Sequence, residues 1–353
     1  MFNVKNYLNW QVACALLGAA SLFTSCDNNL IYDDLAPCET RHAVRFQWDT
    51  NMVGADAFRG NVHSVAIYGF DQNDKLAFQF AEKGDALAMQ GYTLPLTGVE
   101  PGEYTIVAWC GLDNDGTRSE SFIVSDTEIG VTTRQELLCR MERDIHPDGT
   151  HHSAEQLYDL YHGTSYGVKI YANNDMQHQG DHVYQINLTK DTNNIRIMLQ
   201  QIGKDVNVGD FTFKIEEANG TLGSDNELKD DETINYEPFN TKNVVAGMDE
   251  TRAGAIVNEK VAVADLKMSR LMDRRQSMLT IRNTDGTKVL QVPLRDYALL
   301  AKPFEAEGFT NQEYLDRQDN YRLMFFLDSD GAWIEHQILI NSWAPYEQNG
   351  DLQ

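Results

Sequence analysis

The chain has 353 residues, with 29 Lys and Arg against 53 Asp and Glu, a formal charge of −24. Hydrophobic residues at 42% exclude a disordered chain and suffice for one or two buried cores. So negative a field repels phosphate backbones, which sets nucleic-acid binding aside as a function.

Residues 1–25 hold one cation, Lys5, no acid, and an apolar run from Val12 to Phe23. That run is too short for a bilayer-spanning helix and reads as the apolar stretch of an export signal. It ends Leu22-Phe23-Thr24-Ser25-Cys26. Small residues before a Cys resemble a bacterial lipobox, in which the peptidase cuts before the Cys and its thiol receives lipid. Phe23 departs from the small residue usual there. The competing reading is an ordinary signal with a chance Cys. Lipid on Cys26 would make the chain anchored to a membrane rather than spanning it. Residues 26–42, with Asp27, Asp33 and Asp34, then form a polar tether.

Cys14 leaves with the signal and Cys26 takes lipid, so Cys38, Cys110 and Cys139 remain. In an oxidising compartment these allow one disulfide and one free thiol, with three possible pairs. No Cys or His spacing suggests zinc, and no metal is expected.

Strand patterns dominate the mature chain. They are expected at 43–48, 62–70 and 75–80, with a hairpin turn at Asp71–Asp74. Further strands are expected at 92–96, 103–110, 122–124, 130–137, 165–170 and 183–188. One helix is expected between an N-cap at Ser153, with Gln156 three residues on, and a C-terminal Gly163. The second half repeats the order, with strands at 195–201, 210–216, 262–269, 277–281, 289–292, 321–327 and 332–340. Thr284-Asp285-Gly286 reads as a hairpin turn, and Thr310 with Glu313 caps a second helix. Residues 219–244 are polar and aperiodic, hence a long loop. The fold class is therefore all-β, with two antiparallel β-sandwiches over 43–190 and 191–353 and a boundary at Lys190–Asn193. Each half is expected to own its core: Ile106, Trp109 and Leu188 in the first, and Leu279, Phe325 and Ile338 in the second.

Several clusters invite chemistry and read more simply. His146, His151, His152 and His162 lack a pair on one helix face and read as a polar loop. Asp113–Gly116 and Asp328–Gly331 carry Asp-Gly without the rest of a calcium loop and read as turns. GxSxG and phosphate-binding glycine loops are absent from the sequence, so no enzyme activity is expected. In Gln312–Asp319 (QEYLDRQD), Tyr314 and Leu315 should pack, while Asp316, Arg317 and Asp319 make surface or inter-strand ion pairs.

Six stretches together carry a resemblance: Asp34–Cys38 (DLAPC); Asn51-Met52 with Asp56–Phe58 and Val65–Asp71 (VAIYGFD); Pro101–Thr105 ending in Trp109–Leu112 (WCGL); Asp159–Gly163 (DLYHG); Ser269–Met272 (SRLM); and Gln312–Asp319 with Phe325–Leu327 and Ile340–Trp343. In this order they resemble the fimbrillin-A associated anchor lipoproteins of Bacteroidales, the FimB/Mfa-type family. Cys110 and Ser342 depart from the Ala and Gly expected there. The resemblance implies two tandem transthyretin-like β-sandwich domains with short capped helices. It also implies a lipoprotein at the outer-membrane surface that holds the base of a fimbria, with a role in ending or regulating its growth. The implied partner is a fimbrial stalk subunit, met by strand complementation, and the covalent lipid at Cys26 is the one attached group. Competing readings are an accessory or tip fimbrillin adhesin and a surface glycan-binding lipoprotein. For the latter, Trp343 is the candidate stacking platform, since Trp48, Trp109 and Trp333 fall inside strand patterns. In related polymerising fimbrillins an Arg-specific protease removes the first strand. Here Arg41 and Arg45 flank and enter that strand, and it is expected to stay uncut.

Overall fold

The structure, a computed structural model, describes residues 39–113, 116–248 and 257–341. The first half contributes strands β1 (Arg41–Thr50), β2 (Ser64–Phe70), β3 (Leu76–Lys83), β4 (Leu94–Pro95), β5 (Gly102–Cys110), β6 (Phe122–Val124), β7 (Leu138–Met141), β8 (Asp144–Ile145), β9 (His151–Ser153), β10 (Tyr161–Ile170) and β11 (Asp181–Lys190). The second contributes β12 (Thr192–Gln201), β13 (Phe211–Glu217), β14 (Thr221–Gly223), β15 (Ile234–Tyr236), β16 (Asn240–Met248), β17 (Val257–Ser269), β18 (Met278–Asn283), β19 (Lys288–Pro293), β20 (Asn320–Leu327) and β21 (Trp333–Ile340). Three short helices lie late in the chain: α1 (Leu294–Leu299), α2 (Lys302–Glu305) and α3 (Asn311–Arg317). The fold is all-β, as expected.

The strands form four sheets. A seven-stranded sheet runs β3-β2-β5-β10-β11-β1-β4, and a five-stranded sheet runs β16-β17-β12-β20-β21. The turn chemistry behaves as the sequence suggests. Asp71 Oδ1 accepts from the backbone N–H of Asn73 and Lys75, and Asp74 takes φ 61°, closing the β2–β3 hairpin. Gly286 at φ 87° closes β18–β19. Thr310 and Glu313 form the expected reciprocal cap of α3.

Four expectations are corrected. First, the sheets are mixed: β1 runs parallel to β11, β12 to β20, and β9 to β15. Second, residues 153–163 are not a helix. Ser153 is held in β9 opposite Tyr236, and Tyr161 onward pairs with β5. Gly163 is needed for another reason than a helix end. A Cβ there would fall 2.5 Å from the Asn187 carbonyl oxygen, so glycine permits the close approach of β10 and β11. The local capping signal lost to the long-range ladder. Third, residues 130–137 hold a short 3-10 turn at Arg134–Glu136 rather than a strand, whereas the supposed loop at 219–244 contains β14, β15 and the start of β16.

Fourth, the halves are interleaved. The chain passes from the seven- to the five-stranded sheet at Asp191, but the six-stranded sheet β19-β18-β13-β15-β9-β8 and the three-stranded sheet β14-β7-β6 each draw strands from both sides of it. The cores are not separate either. Ile106 and Leu188 lie in a cluster confined to the first half. Trp109 instead shares one continuous cluster with Leu279 and Phe325, and Ile338 packs half-buried at its margin. Halves that build two sheets jointly cannot bury their faces independently, so one core spans both halves.

Candidate functional site

The first strand is the residue run on which the functional question turns. Alternate residues Val44, Phe46 and Trp48 are buried in the first-half core, which is what a period of two on one sheet face produces. On one side β1 pairs with β11 from Arg41↔Asp181 to Thr50↔Thr189, with a register shift after Gln47. The other side is closed piecemeal. Leu96 N–H donates to His42 O at 2.8 Å, Val44 pairs with Leu94, and Ala57 N–H donates to Trp48 O at 2.9 Å. The Trp48 N–H donates to Asp56 Oδ1 at 3.0 Å. The Asn51–Phe58 stretch therefore folds back as a clasp, and Phe58 stacks on Phe46 with ring centroids 5.6 Å apart.

The lower end of β1 is held by an aromatic group. His42 accepts the Tyr171 N–H on Nε2 at 3.0 Å, which leaves Nδ1–H to face the Tyr184 hydroxyl at 3.1 Å. Burial pushes the His42 imidazole below its ordinary value, which favours this neutral form. The His182 ring stacks on it at 5.0 Å. Arg41 and Arg45 both sit within the β1–β11 ladder with their side chains exposed.

At the upper end of β1 the sequence markers converge on a buried charged junction. Asp159 receives Lys190 at 3.0 Å and Lys267 at 2.6 Å, and Lys190 also reaches Asp319 at 2.7 Å. Burial alone would raise the Asp159 carboxyl, but the ammonium groups of Lys190 and Lys267 hold it below its ordinary value. Arg270 meets Asp316 at 2.7 Å and Asp191 at 3.7 Å, and the Asn226 amide donates to Asp191 Oδ1 at 3.0 Å. Asp191 is fully buried, and desolvation pushes its carboxyl up to about 7 against the pull of Arg270. His162, buried in β10, faces the Ser224 carbonyl at 3.1 Å and is pushed down to about 3 by desolvation. Arg317 donates to the carbonyls of Asp49 and Asn51 at 3.0 and 3.3 Å, tying α3 to the end of β1. The QEYLDRQD charges are thus half-buried: Asp319 and Arg317 reach across to the first half and Asp316 pairs with Arg270 within the second, the inter-strand alternative of the expectation rather than the surface one. The sequence did not give the partners, because they lie more than forty residues away in the chain. The signal available was that DLYHG, SRLM and QEYLDRQD each pair a charge with adjacent large apolar residues.

The remaining residues singled out from the sequence scatter. Cys26, Cys38 and Trp343 lie outside the described residues. Cys110 and Cys139 are free and buried, in different core clusters, so they do not pair with each other. Desolvation raises both thiols, which leaves them inert. Of the histidines, His146 and His152 stack at 3.7 Å, while His162 is buried against Trp109. Among the described residues no group of three His, Cys, Asp or Glu could hold a metal ion. Asp328–Gly331 is a turn, with Asp328 Oδ1 accepting from Asp330 and Ala332 N–H. Trp48 and Trp109 are buried and Trp333 half-buried against the core. Among the described residues no helix is long and apolar enough to cross a membrane.

The fold and junction define an all-β protein whose chemistry-bearing residues are spent on holding strands and halves together. A family model described as "Fimbrillin-A associated anchor proteins Mfa1 and Mfa2" matches residues 35–349, and the chain belongs to that family. It is 27% identical over 224 residues to the minor fimbrium anchoring subunit Mfa2 of Porphyromonas gingivalis, a match spanning 62% of this chain and 62% of that relative. The structure resembles that of a candidate adhesin from Bacteroides thetaiotaomicron, with a TM-score of 0.72 at 30% identity, covering 88% of this chain and 99% of the other. It also resembles the fimbrial anchor protein Mfa2 of Porphyromonas gingivalis, with a TM-score of 0.63, covering 87% and 98%. At 18% identity the latter is a likeness of fold.

Proposed function

We propose that the protein anchors the base of a fimbria at the outer-membrane surface, tethered through lipid on Cys26, and receives a stalk subunit by strand complementation. Family membership supports the fimbrial role. The observation that carries the anchoring side is the closed first strand. A subunit that opens a groove by losing its first strand would also lose everything before that strand, tether included. Here β1 is paired along one side and clasped along the other, and both arginines lie in paired backbone, where a protease cannot seat an extended chain. The partner strand is then received elsewhere. Among the described residues β16, β19 and β21 end their sheets with one strand neighbour each. Such an anchor would also set where growth ends.

N-terminal analysis of the native surface protein tests this reading. The expected form starts at Cys26, and gene deletion leaves fimbriae shed or abnormally long. Dominance of a form starting at His42 or Phe46 would make the protein a polymerising stalk or tip subunit. Cys26→Ala should release it from the membrane fraction, since stable anchoring needs two lipid signals. Retention of that variant would sink the lipid assignment.

A further inference from the structure

The tether and the second half of the chain leave β1 at opposite ends. The polar N-terminal segment enters at Arg41, whereas Arg317 holds the Asp49–Asn51 end to α3. Beside β1, β11 runs in the same direction, and after Asp191 alone the chain continues as β12. A pull on the N-terminal segment, opposed by a pull on the second half, therefore loads β1 at its start and β11 at its end. The two strands must then slide along each other, and every inter-strand hydrogen bond resists at once. Loading the same ladder from one end would break those bonds in succession, each alone.

The arrangement recurs one step later. Load arriving at Thr192 enters β12, whose parallel neighbour β20 is in register from Asn194↔Asn320 to Gln201↔Leu327 and exits into the Asp328–Gly331 turn. Between the two ladders, the single-residue link is flanked by the Asp159–Lys190–Asp319 and Asp191–Arg270–Asp316 contacts, which keep β11 and β12 from hinging apart.

We propose that the protein is a tension-bearing element, in which the β1–β11 and β12–β20 ladders act as two shear clamps in series between an N-terminal tether and a partner on the second half. The physiological direction of pull rests on the anchor reading; the resistance itself is a property of the fold. Arg41 N–H donates to the Gly180 carbonyl, on the β11 side, while His42 and Trp48 bond outward. By strand alternation Ala43, Arg45 and Gln47 also face β11 with their backbone groups. Arg45 has an exposed side chain, so Arg45→Pro removes one clamp N–H without emptying the core.

Single-molecule pulling on the mature chain tests the proposal, with one handle at the N-terminus and the second at one of two exposed positions. A handle at Asp330 loads both ladders lengthwise. A handle at Gln177, in the turn before β11, loads the β1–β11 ladder from one end. Rupture forces report unfolding rates under load rather than equilibrium stability. The expected first rupture force is at least about twofold higher through Asp330 than through Gln177. Arg45→Pro should lower the Asp330 value while the Gln177 value changes little. Equal forces in the two geometries, or an Asp330 force unmoved by Arg45→Pro, would overturn the clamp. Both ends are held by added handles, so a weak ladder leaves the anchor reading standing. Conversely, a trimmed native form overturns the anchor reading without touching the force result.

Discussion

Each half of the molecule places its first strand parallel to one of its last, β1 against β11 and β12 against β20. They differ on the other side. β12 is central, paired with β17 at every position from Thr192 to Leu199. β1 lies near the rim, with only the two-residue β4 and the Asn51–Phe58 clasp beyond it. Losing β12 would split a sheet, whereas losing β1 would open a groove. A rim strand can be exchanged, and its retention is a matter of chain chemistry rather than of topology.

The largest expected effect comes from a charge in either strand. Ile197→Asp, buried in the shared core, should abolish folding of the whole chain, because the unpaired carboxylate has no route to water. Val44→Asp, in the first-half cluster, should open the rim strand locally, stripping exchange protection from β1 while the chain stays folded and the five-stranded sheet protected. Equal loss of protection in both variants would break the comparison.

Next is the junction. Arg270→Met leaves the buried Asp191 and the half-buried Asp316 without their cation, which should cost about 3–5 kcal/mol. Urea unfolding of the intact protein should still show a single transition, because the halves share a core. Two transitions separated by this substitution would show that they fold independently.

The cores sharpen the point. Phe325→Ala and Phe46→Ala should each cost about 3–5 kcal/mol. The first should weaken exchange protection around Trp109 as well as in β20, since both lie in one cluster; the second should stay within the first half.

A pH effect of similar or smaller size isolates Asp191. Its carboxyl stands at about 7 in the folded protein because of burial, opposed by Arg270, against an ordinary 3.8. Between those values the native state holds a proton that the unfolded chain has lost. Stability from this group therefore falls as pH rises from about 4 to 7, by at most about 4 kcal/mol. His162, pushed down by desolvation, works in the opposite sense below its ordinary value. The difference between wild type and Asp191→Asn in urea midpoints at pH 5 and pH 8 separates the two. A wild type whose deficit does not grow toward pH 8 would contradict the buried carboxyl. The smallest effect belongs to the α3 cap: Thr310→Ala should cost about 1 kcal/mol in thermal unfolding, without altering β1.

The sequence by itself determined what depends on near neighbours. Alternation in 43–48 and 103–110 marked strands, Asp71–Asp74 and Thr284–Gly286 marked turns, and Thr310 with Glu313 marked a helix start, because each signal is complete within a few residues. The ordered family markers were equally legible as a linear series. Tertiary structure decided the rest. It turned Ser153 and Gly163 from an apparent helix start and stop into strand residues, since ladder bonds and the close approach of β10 to β11 outweigh a cap. It made β1 parallel to a strand well over a hundred residues later, carried β9 and β14 across the division at Asp191, and gathered Asp159, Arg270 and Asp316 into one buried junction. Those outcomes depend on which distant faces exclude water together, and no local run of residues carries that information.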